Sequence, residues 1–186
     1  EVRDRVEEKR GTPASIRNRD QRPVAITDIS AEGGPRIPLG DRELDRVLGG
    51  GVVPGSLILI GGDPGIGKST LMLQTALRTP QLSTLYISGE ESAQQVKMRA
   101  ERLQEELGKP SGSNCFVLTE TNTQNIFRQI EELQPGLVIV DSVQTLHTAV
   151  LDGSPGSVGQ VRECTSELMR FAKATDVPMV LIGHIT

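Results

Sequence analysis

Gly62-Asp63-Pro64-Gly65-Ile66-Gly67-Lys68-Ser69, followed by Thr70, is the stretch that decides the fold. It follows a short apolar run, Leu57 to Ile60, and precedes a segment with Leu71, Leu73, Ala76 and Leu77 at helical spacing. The pattern Gly-x4-Gly-Lys-Ser between a strand and a helix has a physical rationale. Glycines admit backbone conformations that a side chain forbids, so successive N–H groups can turn inward around an anion. A helix beginning near Lys68 adds its free N-terminal N–H groups and its dipole. In such a loop the lysine reaches β- and γ-phosphates and the following hydroxyl ligates Mg²⁺. Gly62, Asp63, Pro64, Gly65, Ile66, Gly67, Lys68, Ser69 and Thr70 are therefore expected to hold a nucleoside triphosphate, most simply ATP with Mg²⁺.

Outward from this loop, apolar runs recur at Leu85 to Ile87, Cys115 to Leu118, Leu137 to Val140 and Met179 to Ile182. Runs without alternation suit strands covered on both faces, as in parallel sheets. Helical stripes lie between them: Val96, Ala100, Leu103 and Leu107; Ile126, Ile130 and Leu133; Val161, Leu168, Phe171 and Ala172. Strand and helix alternate, so the fold class is α/β, a mostly parallel sheet flanked by helices with right-handed crossovers. Residues 1–36 differ: they are polar, carry Lys9, Arg10, Arg17, Arg19 and Arg22, and read as a basic linker or arm. Residues 37–186 read as the folded core.

Composition narrows the class. The 186 residues hold 36% hydrophobic and 24% charged residues with a net charge of −4, an ordinary globular balance with no global nucleic-acid footprint. No apolar run is long enough to cross a bilayer, and the opening residues Glu1 to Arg10 are charged, unlike a secretory signal. Cys115 and Cys164 have no metal-ligand spacing, so no zinc site is expected. Both thiols read as core-facing, and the setting as reducing: cytoplasmic, or organellar in a eukaryote.

Two acidic positions complete the expected site. Asp141 ends the Leu137–Val140 run, and a carboxylate there is costly unless it faces solvent, a metal or a partner. In phosphate-loop proteins that acid completes the Mg²⁺ shell with the Ser69 hydroxyl. The plainer reading is a capping aspartate, helped by Ser142. Ser88-Gly89-Glu90-Glu91-Ser92 follows the second strand, and hydrolysis needs a group that orients and deprotonates water. Glu90 is the first candidate for that base and Glu91 the second. A glutamate at the end of a strand next to the phosphate-loop strand sits across the γ-phosphate, and the second strand is expected to take that place. The competing reading makes Ser88 a helix N-cap with acids in the first turn.

Leu39-Gly40, Leu44 through Gly51 and Pro54-Gly55-Ser56, running into the phosphate loop, resemble the RecA/KaiC-type ATPases. Tyr86-Ile87-Ser88-Gly89-Glu90-Glu91-Ser92, Val140-Asp141-Ser142-Val143-Gln144-Thr145 and Gly183-His184-Ile185-Thr186 resemble, more narrowly, the bacterial RadA (Sms) family. The resemblance spans residues 37–186. It implies a RecA-like P-loop core in a DNA repair and recombination ATPase that forms a homo-hexamer, binds single-stranded DNA and drives branch migration beside a recombinase-type partner. It also gives Glu90 the catalytic glutamate's place and makes His184 a sensor of the γ-phosphate. The family's four-cysteine finger, Lys-Asn-Arg-Phe-Gly motif and Lon-protease-like domain are not in this sequence, which ends at Thr186, just past the His184 run, and so reads as a truncated core. Residues 152–160 read as a flexible loop, either touching DNA or plainly solvated, with Arg162 as its nearby cation. His147 reads as an ordinary packed histidine. Two other classes stay open: a KaiC-like nucleotide-dependent protein switch without DNA activity, and an inert ATP-binding fragment.

Overall fold

The computed structural model describes residues 23–28, 34–108 and 114–184. The chain divides into two units, residues 1–31 and 32–186. Of the first, residues 23–28 are described: they are exposed and include a 3₁₀ turn, Ile26–Asp28. The basic positions Lys9 to Arg22 lie outside the described residues, as do Ile185 and Thr186.

The second unit runs α1 (Arg42–Val47), β1 (Leu57–Gly62), α2 (Lys68–Arg78), β2 (Thr84–Ser88), α3 (Ala93–Leu107), β3 (Cys115–Leu118), α4 (Thr123–Leu133), β4 (Leu137–Asp141), a 3₁₀ turn (Val143–Thr145), α5 (Val158–Thr175) and β5 (Met179–His184). All strand pairs are parallel, in the order β1-β5-β4-β2-β3. Alternate residues of the central strands feed two cores. Tyr86, Leu137, Ile139, Val180 and Ile182 pack with Met72, Leu73 and Ala76 of α2 and Val96, Ala100 and Leu103 of α3. Leu85, Ile87, Val138, Val140, Met179 and Leu181 pack with Ile126 and Ile130 of α4 and Cys164, Leu168 and Ala172 of α5. The expected α/β fold, a parallel sheet between helical layers, is the fold observed. No helix among the described residues is long and apolar enough to cross a membrane.

The runs at Leu57 to Ile60 and Cys115 to Leu118 were expected to be covered on both faces, and they are not. Both strands are sheet edges: Leu59 is 63% exposed, and Phe116 and Val117 are also exposed. An apolar run reports hydrophobicity but not a strand's place in the sheet. Among the described residues, only β2, β4 and β5 have neighbouring strands on both sides. The expected core-facing thiols divide the same way: Cys164 is buried, while Cys115 on the edge strand is partly so. Burial pushes both thiols up to about 11.

Local caps correct two further expectations. The N-cap of α3 is Ser92, not Ser88, in a reciprocal capping box with Gln95. Ser88 still belongs to β2, and its hydroxyl accepts from the Glu91 N–H at 3.0 Å. The segment read as a loop to residue 160 becomes helical at Val158, capped by Ser157. That loop is also strapped to α5 by the buried Gln160. Its side-chain oxygen accepts from the Thr148 N–H at 2.9 Å, and its amide donates to the Leu151 carbonyl at 2.5 Å. Two turns further on, buried Glu167 accepts from Thr123 Oγ1 (2.6 Å) and Thr148 Oγ1 (2.9 Å), fastening α4 and the same loop to α5.

Gly89 fixes how the β2 loop meets the turn after β4. Its N–H donates to the Asp141 carbonyl at 2.9 Å, and a Cβ at Gly89 would stand 1.9 Å from Thr145 Oγ1. Thr145 cannot simply rotate away, because that hydroxyl donates to the Ser142 carbonyl at 2.7 Å. Gly89→Ala is therefore expected to destabilise the fold by roughly 1–3 kcal/mol, as overpacking does. Denaturant unfolding of the two chains measures it; equal midpoints would mean that the two loops are not in contact in solution.

Candidate nucleotide site

Sheet register gathers the site. Gly62 pairs with His184, Asp141 with Ile182, and Ser88 with Asp141, so the ends of β1, β5, β4 and β2 share one edge. In parallel α/β sheets that carboxyl-end edge is where ligands bind.

The loop between β1 and α2 has the features an anion cradle requires. Gly65 and Gly67 take left-handed φ values of +79° and +98°, and Gly67, which brings no side chain, is the N-cap of α2. A Cβ at Gly62 would lie 2.6 Å from the Ile66 Cδ1 atom, so this glycine lets the loop fold over. Lys68 is buried at the start of α2, and its ammonium donates to the carbonyls of Gly62 (2.6 Å) and Asp63 (2.7 Å). The cation is thereby held inside the curve of the loop. Asp63, Pro64, Gly65, Ile66 and Gly67 are exposed along the rim, while Ser69 and Thr70 sit half-buried in the first turn of α2. A curved loop of free conformation, a tethered cation and a helix start fit a polyphosphate. The Ser69 hydroxyl and the Asp141 carboxylate are hard oxygen donors of the kind Mg²⁺ takes.

The acids do not stand where simple strand adjacency puts them. The strand beside β1 is β5; β2 lies beyond β5 and β4. Glu90 nevertheless reaches back along the edge. Its Oε1 accepts from Ser142 Oγ at 2.8 Å and lies 3.7 Å from His184 Nε2. Glu90 remains solvent-accessible, as a group that handles water must be. Glu91 turns the other way, into an ion pair with Arg99 Nη1 at 2.8 Å. His184 is further fixed by Gln144, whose amide donates to its carbonyl at 3.1 Å.

Asp141 is nearly buried, and the Asp141–Ser142 peptide is cis. Its Oδ2 accepts from the Tyr86 hydroxyl at 2.5 Å, and Arg99 Nη2 stands 3.9 Å away. Desolvation first, and then the Asp141 carboxylate, push the Tyr86 hydroxyl far above its ordinary range, so it stays protonated and donates. Sequence reasoning gave Asp141 no such neighbours. A signal existed: Tyr86 is the only tyrosine, and it sits in an apolar run where its hydroxyl demands a partner. Arg99 carried no comparable signal, since on α3 it flanks the Val96–Ala100 stripe like a solvated charge. Ser142 reads from sequence only as a help to an Asp141 cap, and neither it nor Gln144 is expected beside Glu90 or His184, because the turn that follows β4 is not legible in a pattern. Backbone bridging to Asn122 places His147 outside this cluster, near the start of α4.

Comparison with known proteins agrees with this architecture. A family model described as an AAA domain matches residues 35–186. The DNA repair protein RadA of Escherichia coli strain K12 is 54% identical over 162 residues, covering 87% of this chain and 34% of the relative. RadA of Halalkalibacterium halodurans is 51% identical over 167 residues, covering 89% and 35%. RadA of Streptococcus pneumoniae is 44% identical over 182 residues, covering 97% and 42%. The chain thus spans 34–42% of the length of these relatives. Among solved structures, the ATPase domain of G40P superposes with a TM-score of 0.67 at 22% identity, covering 84% of this chain and 66% of that one. A DnaB-like replicative helicase, described with its interactions with primase, gives 0.65 at 18% identity, covering 82% and 44%. The resemblance to RadA read from the motifs holds along most of the chain, and the helicase likeness fixes the fold: this chain belongs to the AAA domain family, as a P-loop ATPase core of RecA-like architecture.

Proposed function

We propose that this chain is the ATP-hydrolysing core of a DNA repair and recombination protein whose turnover is stimulated by single-stranded DNA. The observation that carries the hydrolytic part is the meeting of Glu90 with Ser142 and His184 on the sheet edge that also bears the Lys68 loop. The DNA part rests on the relatives, which are named for DNA repair. On this reading the assembled protein is a homo-hexamer that promotes branch migration beside a recombinase-type partner. Two free thiols suit a reducing, cytoplasmic setting.

The chemistry follows from the side chains. ATP is held through its phosphates by backbone N–H groups of the Gly62–Thr70 segment, Pro64 having none to offer, and by Lys68, whose ammonium exchanges its loop carbonyls for phosphate oxygens. Ser69 and Asp141 would hold Mg²⁺, which supplies charge neutralisation on the phosphates when bound. Glu90 accepts a proton from water as the water oxygen bonds the γ-phosphorus. The bond from that phosphorus to the bridging oxygen breaks, and ADP leaves with the electron pair. Ser142 keeps the Glu90 carboxylate from swinging away into solvent. His184 touches the same carboxylate from the strand beside the P-loop strand, and so links the state of the γ-phosphate to β5. Glu91, paired with Arg99, is left out of the proton transfer. A lysine or arginine from a neighbouring subunit completes the charge balance, a contribution worth orders of magnitude in related phosphoryl transfers.

Two substitutions separate binding from turnover. Lys68→Ala is expected to weaken ATP binding by roughly 10-fold or more, since it deletes a charge-assisted contact of about 1.5–3 kcal/mol; titration with a fluorescent ATP analogue measures it. Glu90→Gln keeps the shape and the Ser142 contact but cannot take a proton. It is expected to bind ATP normally and to lose about 10²–10⁴-fold in turnover. Turnover equal to that of the unvaried chain would remove Glu90 from the proton transfer. Steady-state ATPase assays with and without single-stranded DNA test the nucleic-acid reading. Stimulation that is absent in Lys68→Ala and falls as salt rises is expected, because phosphate contacts release counterions. Nucleotide-dependent assembly with no response to DNA would instead favour a protein switch.

A further inference from the structure

Behind the acids that face the loop lies a second layer of polar groups to which the proposed chemistry assigns nothing. Arg99 projects from α3 toward the sheet, with a side chain only 15% exposed. Its Nη1 pairs with Glu91 Oε2 at 2.8 Å, and its Nη2 donates to the Tyr86 hydroxyl at 3.1 Å. That hydroxyl in turn donates to Asp141 Oδ2 at 2.5 Å. Tyr86 is fully buried. Three elements are joined in this way: the helix α3, the strand β2 and the end of β4.

The order of groups matters. A nearly buried carboxylate needs compensation, and a contact ion pair is the usual form. Here the guanidinium stops 3.9 Å short of Asp141, and a neutral hydroxyl fills the gap. Accepting from a cation while donating to an anion polarises that hydroxyl, so each bond strengthens the other. The arrangement steadies Asp141 through the hydroxyl, with the guanidinium at the outer limit of an ion pair and beyond hydrogen-bond reach. Both groups address Oδ2, which leaves Oδ1 outside the relay. A guanidinium in direct contact would compete with any cation for the same carboxylate; one acting through a phenol does not. The same arginine holds Glu91, and so the turn that carries Glu90.

We propose that Tyr86 and Arg99 are positioning residues that hold the Asp141 carboxylate in the orientation in which it joins the shell of a divalent cation at the nucleotide site. The proposal rests on the nucleotide reading above. It separates from a merely structural role, in which Arg99 only fastens α3 to the sheet, because such a role has no preference for the cation. Outer partners of a metal ligand typically contribute 10–100-fold to metal affinity.

The test is a titration of Mg²⁺ against a fixed concentration of fluorescent ATP analogue, with parallel binding in EDTA. It uses this chain, Tyr86→Phe, Arg99→Lys and Lys68→Ala. Tyr86→Phe removes a single oxygen and keeps the packing; Arg99→Lys keeps the charge but cannot span Glu91 and Tyr86 together. The expected result is a Mg²⁺ midpoint raised roughly 10-fold or more in both positioning variants, with binding in EDTA unchanged. Unchanged midpoints in both variants would overturn the proposal. So would an equal loss of binding with and without Mg²⁺, which is the mark of a structural anchor. Binding by the unvaried chain no better than by Lys68→Ala would overturn the nucleotide site itself, and this inference with it.

Discussion

Parallel pairing of β1, β5, β4 and β2 is the constraint on which the rest depends. In a parallel sheet every strand ends on the same edge, so the loops that follow are brought together however far apart they lie in sequence. Gly62 and His184 are paired residues although 122 positions separate them, and Ser88 pairs with Asp141. Two helical layers then close the faces and leave the carboxyl edge open. Chemistry sits at that edge because it is where backbone direction, helix starts and solvent access coincide.

Charge at this edge is distributed rather than concentrated. Lys68 is satisfied by loop carbonyls, Asp141 by a phenol and Glu91 by a guanidinium, while Glu90 has a hydroxyl and a more distant imidazole. Two adjacent glutamates thus meet opposite fates. Glu91 lies against α3, where a cation reaches it. Glu90 lies against the turn after β4, where a serine does. Helical geometry cannot separate them, because neither belongs to α3, which begins at Ala93. What separates them is Gly89. Its missing side chain lets the loop press on Thr145, so that the next residue reaches toward Ser142.

Much of this was legible in the sequence, and the division has physical causes. The strands, the helices between them and the phosphate loop are local: each is written in a run, a period or a spacing. Strand order is not local. The same runs are compatible with β2 beside β1 or three places away, which is why Glu90 was expected next to the loop strand. Coverage also depends on order, so the edge strands β1 and β3 looked like central ones. The Ser88 and Ser92 hydroxyls both suit a helix start. Only the extent of β2, set by its pairing with β4 through Ser88 and Asp141, decides between them.

Polar partners were the least legible part, for the same reason in sharper form. Tyr86 announces that it needs a partner, but its partner Asp141 lies 55 positions away, and Arg99 reaches both from a helix face that reads as solvated. A carboxylate at the end of a buried strand is unstable by itself. Its cost can be met from the front, by a cation in the site, or from behind, by the fold. Here the fold meets part of it from behind through a neutral hydroxyl. A group satisfied by a direct arginine would be a structural salt bridge with little left to offer a cation. One satisfied through a phenol keeps its charge, its orientation and one oxygen free of the relay. The distinction lies in less than one ångström between hydrogen-bond reach and the 3.9 Å at which Arg99 halts.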